Sequence, residues 1–232
     1  MHRQTFPTVT QAFLNKVRTS PDNKVFFRKV GADWKGGTWK DYYEQVRLIS
    51  LGLIELGLAP GDAACIVSNT NLEWATTDMG ILGARGVTVP IYASNTPVDC
   101  TYFANHCDAR FIFVEDTKQL EKFLAIRPNL PKLKTIIAFN LIGSPQLANE
   151  KDVISLDALK ELGKRASQRS TDDLIARNML AIKSTDIFTI CYTSGTTGVP
   201  KGVVLSYDSL ASIIEDIEKV IGGFFSEKDF FL

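Results

Sequence analysis

The segment from Tyr192 to Gly202 has the residue types that bind phosphate. Its eleven residues include four aliphatic hydroxyl side chains, three glycines and Lys201. Glycines allow backbone N–H groups to approach an anion closely, hydroxyls donate further hydrogen bonds, and a lysine supplies a compact positive charge. The apolar run before this segment, residues 186–192, predicts a buried strand that leads into it. The sequence therefore predicts a phosphate-binding loop at the end of a strand.

Two other interpretations fit this segment less well. The P-loop pattern G-x-x-x-x-G-K-[ST] fails twice when it is counted from Gly195, because Pro200 takes the second glycine position and Gly202 follows Lys201. A P-loop also requires a helix directly after the lysine, whereas residues 203–205 predict a short strand. A flexible surface linker is disfavoured because apolar strand patterns lie on both sides of the segment.

The rest of the chain predicts an alternation of helices and strands. Predicted helices cover residues 8–20, 38–56, 72–84, 97–107 and 206–221. Predicted strands cover residues 25–28, 63–67, 87–90, 110–114, 186–192 and 203–205, and residues 33–37 predict a turn. Strands that alternate with helices predict an α/β fold with a mostly parallel sheet covered by helices.

The helix that begins after Thr38 has the clearest pattern. Thr38 and Asp41 match a capping box, and Gly57 with Pro60 ends the helix. Its apolar stripe consists of Tyr42, Val46, Ile49, Leu53 and Leu56. Trp74 lies on the apolar face of the next predicted helix, where an aromatic side chain favours packing in the core over stacking on an adenine ring.

Composition divides the chain into three parts: a first α/β region at residues 1–142, a polar stretch at 143–185 and the phosphate-loop region at 186–232. The polar stretch predicts a solvated excursion with one surface helix, whose apolar stripe is Leu156, Leu159 and Leu162. Its charge run, residues 164–169, could contact a membrane surface, although so short a run without a second anchor binds weakly. A solvated face is the simpler interpretation.

The overall composition indicates a globular protein that does not bind nucleic acid. Hydrophobic residues make up 45% and charged residues 22% of 232 residues, and the net charge is zero. No apolar run reaches 18 residues and the first residues lack the apolar core of a signal peptide, so we expect a cytoplasmic location. The two histidines, His2 and His106, do not form a metal-binding pattern. The four cysteines have no C-x-x-C spacing and predict small buried hydrophobic residues in a reducing compartment.

Two blocks of the sequence resemble the AMP-forming acyl-CoA synthetase superfamily, which also contains firefly luciferase and peptide-synthetase adenylation domains. The string YTSGTTGVPKGVVLS resembles the phosphate-binding loop of that superfamily. Residues 38–116, from TWKDYYEQVRLISLGLIELG through VTVPIYASNTPVDC to FIFVED, resemble bacterial long-chain fatty acid–CoA ligases. The resemblance implies the N-terminal part of the acetyl-CoA synthetase-like fold over nearly the whole chain.

The resemblance implies a two-step activity for the complete enzyme. A fatty acid carboxylate attacks the α-phosphate of ATP to give an acyl-adenylate, and CoA then displaces AMP to give a thioester, with Mg²⁺ and phosphate-binding groups stabilising the developing charge. The residues implied to bind the β- and γ-phosphates are Thr193, Ser194, Gly195, Thr196, Thr197, Gly198 and Lys201. Thr193 also matches the position whose hydroxyl reaches Mg²⁺.

The chain departs from the family pattern at one position after the loop. Many relatives have a Thr/Ser-His pair there, whereas this chain has Ser206 and Tyr207. A tyrosine does not titrate near neutral pH as a histidine does, so the role of that histidine is in doubt and packing is an equally good role for Tyr207.

The resemblance also implies that the family continues beyond Leu232. The adenine- and ribose-binding motifs, the acidic magnesium ligand and the catalytic lysine all belong to that continuation, so no catalytic residue is expected within these residues. We therefore expect an N-terminal fragment that is inactive by itself and that associates with a second copy through its C-terminal edge. Adenylation of an amino or aryl acid, luciferase-like activity, a stand-alone nucleotide-binding module and a non-catalytic interaction protein remain alternatives. The acyl chain length is not determined by the sequence.

Overall fold

The computed structural model describes residues 8–141, 150–169, 172–193 and 198–221. The helices are α1 (Val9–Thr19), α2 (Trp39–Glu55), α3 (Leu72–Gly83), α4 (Pro97–His106), α5 (Thr117–Ile126), α6 (Leu156–Ser167), α7 (Leu174–Ala181) and α8 (Tyr207–Ile221). The strands are β1 (Lys24–Val30), β2 (Asp33–Thr38), β3 (Ala63–Val67), β4 (Val87–Ile91), β5 (Phe111–Val114), β6 (Thr135–Ala138), β7 (Val153–Ser155), β8 (Ile187–Thr193) and β9 (Lys201–Ser206).

Seven of these strands form one sheet in the order β7-β6-β5-β3-β4-β8-β9. The neighbours from β7 to β8 pair in parallel, and β9 pairs with β8 in the antiparallel direction. The prediction of an α/β fold with a mostly parallel sheet covered by helices is therefore confirmed. The predicted strand at residues 203–205 is part of β9, which is longer by three residues.

Alternate residues of the central strand β3 pack into two separate cores. Cys65 and Val67 point to the side that α4 and α5 cover, and Ala64 and Ile66 point to the side of α2, α3 and α6. All four side chains are completely buried. A parallel strand buried on both faces explains why the β3 sequence is apolar throughout and not alternating.

Side-chain caps fix where the helices begin. Thr38 and Asp41 form the predicted capping box of α2, with each side chain accepting a hydrogen bond from the other residue's backbone N–H. Thr96 and Asp99 form a second capping box at α4, where Pro97 occupies the first turn. These caps satisfy backbone donors that have no partner within the helix.

The prediction of a turn at residues 33–37 is wrong. These residues belong to β2, which pairs with β1 in an antiparallel hairpin with Val30 opposite Asp33. The turn lies earlier, at residues 31–32, where Gly31 has a positive φ of 65°. A glycine adopts this left-handed conformation without steric cost, so it ends one strand and starts the next.

The sequence predicts a solvated excursion between residues 143 and 185. The described residues of this polar stretch instead pack against the rest of the fold. β7 pairs with β6 at the edge of the sheet, and α6 lies against α2. Leu159 of α6 and Ile175 and Met179 of α7 are completely buried. The physical reason is that few apolar positions are needed to cover one face of a helix, while the charged residues occupy its other face.

A glycine permits the close approach of α6 to α2. A Cβ atom added to Gly163 would lie 2.0 Å from the Leu48 carbonyl oxygen. That distance is far inside van der Waals contact, and the neighbouring atom belongs to a backbone that cannot rotate away.

None of the described helices has the length and apolarity that crossing a lipid bilayer requires.

The substitution Gly163→Ala tests the close packing of α6 against α2, because it should destabilise a packed helix and stabilise a solvated one. Because the added methyl group collides with the Leu48 carbonyl, we expect the free energy of unfolding to fall by about 1–3 kcal/mol. On a solvated helix the same change would instead stabilise the protein by about 1 kcal/mol. Urea denaturation of the variant gives the sign, with the exposed neighbour Lys164→Ala as the control that should stay near the wild type.

Candidate functional site

The predicted phosphate-binding loop connects β8 to β9. Thr193 ends β8, Lys201 begins β9, and the two residues are directly opposite in the antiparallel register. Their Cβ atoms are therefore about 5 Å apart. Of the predicted site residues, Thr193, Gly198 and Lys201 are described by the structure. Four others, Ser194, Gly195, Thr196 and Thr197, lie outside the described residues.

The described loop residues leave room for a ligand. Thr193, Gly198 and Lys201 are all exposed, and Gly198 has a φ of 83° with open space where a Cβ would be. Within the described part of the chain, no ion pair engages Lys201. A hydroxyl and an ammonium group that face solvent across a strand pair can both donate hydrogen bonds to one anion.

The sheet topology places this loop where ligands bind in α/β proteins. The connections that leave the carboxyl ends of β3 and β4 go to opposite faces of the sheet, because α3 covers one face and α4 the other. Ligands of open parallel sheets bind outside the carboxyl ends of the strands near such a divergence. β8 is the next neighbour of β4, and the Thr189 hydroxyl donates to the Thr88 carbonyl oxygen at 2.7 Å.

Aromatic side chains of α4 support the base of the loop. The Tyr192 ring stacks on Phe103 with 4.4 Å between ring centroids, and its hydroxyl lies 2.8 Å from His106 Nδ1. The Tyr102 hydroxyl donates to the Pro200 carbonyl oxygen at 2.9 Å, on the other side of the loop. Burial raises the pKa of Tyr192, so its hydroxyl stays neutral and can act as a hydrogen-bond donor.

Sequence reasoning missed these supports. His106 was identified only as a residue without a metal-binding pattern, and Tyr102 and Phe103 only as part of a predicted helix. The one available signal was their spacing, because residues 102, 103 and 106 lie on one side of α4. The sequence gives no indication that this side faces Tyr192.

The Tyr207 side chain is buried among apolar residues. It is 3% exposed, packs with Leu82 and Ile182, and contacts the Phe188 ring at 5.3 Å between centroids. Burial raises its pKa, and the nearby carboxylates of Asp78 and Asp186 act in the same direction. The packing role that the sequence left open for Tyr207 therefore agrees with its burial, and its hydroxyl remains neutral.

Thr193 can contribute at most one oxygen to a magnesium ion. Its hydroxyl is of the hard oxygen type that Mg²⁺ prefers, and it is exposed next to the loop. In the described ranges no group of three His, Cys, Asp or Glu side chains is placed to bind a metal. The other ligands of an ion at Thr193 would therefore come from outside the described residues, for example from phosphate oxygens, water or the acidic ligand that the family resemblance implies beyond Leu232.

The chain matches one protein family and resembles several curated CoA ligases. The family described as "AMP-binding enzyme" matches residues 13–231. The long-chain-fatty-acid–CoA ligase ACSBG2 of Xenopus laevis is 35% identical over 204 residues, which are 88% of this chain and 26% of that protein. Human ACSBG2 is 32% identical over 216 residues, which are 93% of this chain and 31% of that protein. The chain thus spans about a quarter to a third of the length of these curated relatives.

Solved structures of acid-activating ligases share the fold. A fatty acyl-adenylate ligase from L. pneumophila, in complex with acyl adenylate and pyrophosphate, superposes with a TM-score of 0.66 at 20% identity, over 93% of this chain and 33% of that one. The anthranilate CoA ligase AuaEII, in complex with anthranoyl-AMP, gives a TM-score of 0.66 at 21% identity, over 86% and 35% of the two chains. The architecture is that of the N-terminal domain of adenylate-forming ligases.

Asp78, beside Tyr207, should make the stability of this region depend on pH. Burial raises the pKa of Asp78 to about 6, above its value of about 4 in an unfolded chain. The native state therefore binds more protons than the unfolded state between these values, and stability falls as the pH rises from 4 through 6. We expect Asp78→Asn to be about 1–3 kcal/mol more stable than the wild type at pH 8 and nearly equal at pH 4.

Denaturant unfolding at both pH values measures this difference. Asp22→Asn, at an exposed position, is the matched control and should change stability by less than about 0.5 kcal/mol at either pH. An equal effect of Asp78→Asn at pH 4 and pH 8 would contradict the raised pKa.

Proposed function

Since the chain belongs to the AMP-binding enzyme family, we propose that it forms the phosphate-binding part of an ATP-dependent long-chain fatty acid–CoA ligase. The observation that supports this most directly is the pairing of Thr193 with Lys201 at the mouth of the loop, in a chain whose curated relatives are named long-chain-fatty-acid–CoA ligases. The isolated 232 residues are proposed to be inactive, because the relatives are three to four times longer.

The proposed reaction has two steps. In the first, a carboxylate oxygen of the fatty acid attacks the α-phosphorus of ATP, and pyrophosphate leaves with the electrons of the broken P–O bond. In the second, the sulfur of CoA attacks the acyl carbon, AMP leaves, and the thiol proton passes to a base or to solvent. Negative charge on the β- and γ-phosphates increases in the first step, so groups that bind those phosphates lower its barrier.

The described residues are suited to binding those phosphates. Lys201 provides a positive charge that no described carboxylate neutralises, and the Thr193 hydroxyl lies on the facing strand. Gly198, with its positive φ and open surroundings, allows backbone N–H groups to turn toward an anion. The proposed site is completed by the residues that lie between Thr193 and Gly198 in the sequence, which are Ser194, Gly195, Thr196 and Thr197. Magnesium, held in part by Thr193, would neutralise charge on the phosphate oxygens.

Other activities of the same fold remain candidates. The similarity to the anthranilate CoA ligase AuaEII keeps an aryl acid as the second candidate for the activated acid. Amino acid adenylation and a stand-alone nucleotide-binding module would use the same loop. A cytoplasmic location is part of the proposal and is supported by four free cysteines. Peripheral contact of residues 164–169 with a membrane surface is the weaker part of the proposal, because the charge run is short and its Arg169 also pairs with Glu55 at 2.6 Å.

Association with a second copy is also part of the proposal. Six apolar side chains on β9, on α8 and on the loop before them are about half exposed; they are Val199, Val203, Val204, Ile213, Ile214 and Ile217. Apolar groups on an edge strand and a neighbouring helix favour association with another surface.

Lys201→Ala tests the role of the loop in ATP use. Loss of a charged hydrogen bond costs about 1.5–3 kcal/mol, so we expect kcat/KM for ATP to fall roughly 10- to 150-fold with little change in KM for the fatty acid. The assay is fatty-acid-dependent exchange of pyrophosphate into ATP, measured on the protein encoded by the longest open reading frame that contains the chain. Lys118→Ala, on the exposed surface of α5, is the control. A loss confined to the fatty acid would refute the phosphate-binding role.

Light scattering tests the proposed association. We expect the purified chain to form dimers or larger species at concentrations of about 10 µM and above. The double variant Val203→Thr, Ile213→Gln removes exposed apolar surface and should shift the distribution toward the monomer. A monomeric wild type over the whole concentration range would contradict this part of the proposal.

A further inference from the structure

Cys65 and Cys107 bring two thiol groups into contact at the boundary between the sheet and α4. Cys65 lies in the middle of β3, and Cys107 is the C-cap residue of α4. Their sulfur atoms are 3.9 Å apart. Both belong to the core between the sheet and the α4–α5 layer, and both are free thiols. A disulfide requires the sulfur atoms to approach from 3.9 Å to about 2.05 Å, so its formation must bring Cys107 at the end of α4 closer to β3.

The two thiols differ in a way that suits sequential oxidation. Cys65 is completely buried, whereas Cys107 is partly exposed. The contact between the two thiols lowers the pKa of Cys107, whereas the same contact and burial raise the pKa of Cys65. The thiolate is the form that reacts with peroxides, and redox-sensing cysteines combine thiolate character and access with a second cysteine nearby. Cys107 has the first two properties, and Cys65 is the second cysteine.

We propose that Cys107 and Cys65 form a reversible oxidation site that a hydroperoxide converts to a disulfide. The Cys107 thiolate attacks the peroxide oxygen and becomes a sulfenic acid, and the peroxide is reduced to water or an alcohol. The Cys65 sulfur then attacks the sulfenic acid sulfur, the S–S bond forms, and the hydroxyl group leaves as water with the Cys65 proton. A small thiol reverses the reaction by exchange through a mixed disulfide.

The disulfide would change the support of the phosphate loop. Cys107 follows His106, whose ring nitrogen lies 2.8 Å from the Tyr192 hydroxyl, and Tyr192 precedes Thr193. Bringing the sulfur atoms from 3.9 Å to bonding distance draws the end of α4 toward β3, so that His106 moves relative to Tyr192. We therefore infer that oxidation weakens nucleotide binding by the loop. This consequence depends on the proposed function, whereas the disulfide itself does not.

Peroxide titration of the purified chain tests the disulfide. After treatment with a few equivalents of hydrogen peroxide, the remaining thiols are alkylated and the mass of the chain is measured. We expect two fewer alkylated thiols, a mass about 2 Da lower before alkylation, and a peptide that links Cys65 to Cys107 and disappears after dithiothreitol.

Variants at three cysteine positions locate the reaction. Cys65→Ala removes both the second thiol and the contact that lowers the pKa of Cys107, so Cys107 should oxidise more slowly and stop at a sulfenic acid that dimedone traps. Cys107→Ala should prevent the loss of any thiol at the same peroxide dose. Cys100→Ala, which removes a buried cysteine of the same core, should still form the link. Because alanine at position 65 could weaken the core, Cys65→Val serves as a second variant with the same expectation.

The outcomes separate the two inferences. A link between other cysteines, or full alkylation of Cys65 and Cys107 after peroxide treatment, would overturn the oxidation site. For the effect on the loop, we expect binding of ATP or pyrophosphate, measured by calorimetry, to weaken at least about threefold on oxidation and to recover on reduction. A Cys65–Cys107 link with unchanged binding would overturn the effect on the loop, and no binding in either state would count against the proposed function alone.

Discussion

The stacking of Tyr192 on Phe103 is the contact on which the candidate site depends. β8 and β9 form one edge of the sheet, and this aromatic pair joins the end of β8 to α4. Stacking alone permits lateral displacement of the two rings. The hydrogen bonds from Tyr102 to Pro200 and between His106 and Tyr192 restrict that displacement. Because Tyr192 precedes Thr193 directly, the positions of the proposed phosphate-binding residues follow from the position of α4.

Much of the fold could be predicted because local patterns determine it. The β3 strand occupies the predicted residues 63–67, and α2 begins at the predicted capping box of Thr38 and Asp41. Both signals involve residues a few positions apart, so that a single sequence contains all the information they need. The hairpin of β1 and β2 was missed because its residues 33–37 contain an aspartate and two glycines, which are more typical of a turn.

The candidate site could be predicted only in part, for a related reason. The motif identifies Thr193, Gly198 and Lys201 by residue type and resemblance, and the structure adds that Thr193 and Lys201 are cross-strand partners. The support from α4 could not be predicted, since His106 and Tyr192 are 86 residues apart and nothing local to either one indicates the other. The same holds for the contact between Cys65 and Cys107, which depends on how α4 crosses the sheet. The role of Gly163 could not be predicted either, because it depends on the nearby carbonyl group of Leu48 in another helix.

The attachment of β8 to the sheet has a mechanical consequence. β8 and β4 share a single register pair, Thr88 with Thr189, and Thr193 lies four residues beyond it. Thr193 therefore lies about 13 Å along β8 from that pair. Between these two residues β8 is held in part by its pairing with β9 and by the contact of Tyr192 with Phe103. The rigidity of the site thus depends on the aromatic contact, which a substitution on α4 can alter without changing any residue of the loop.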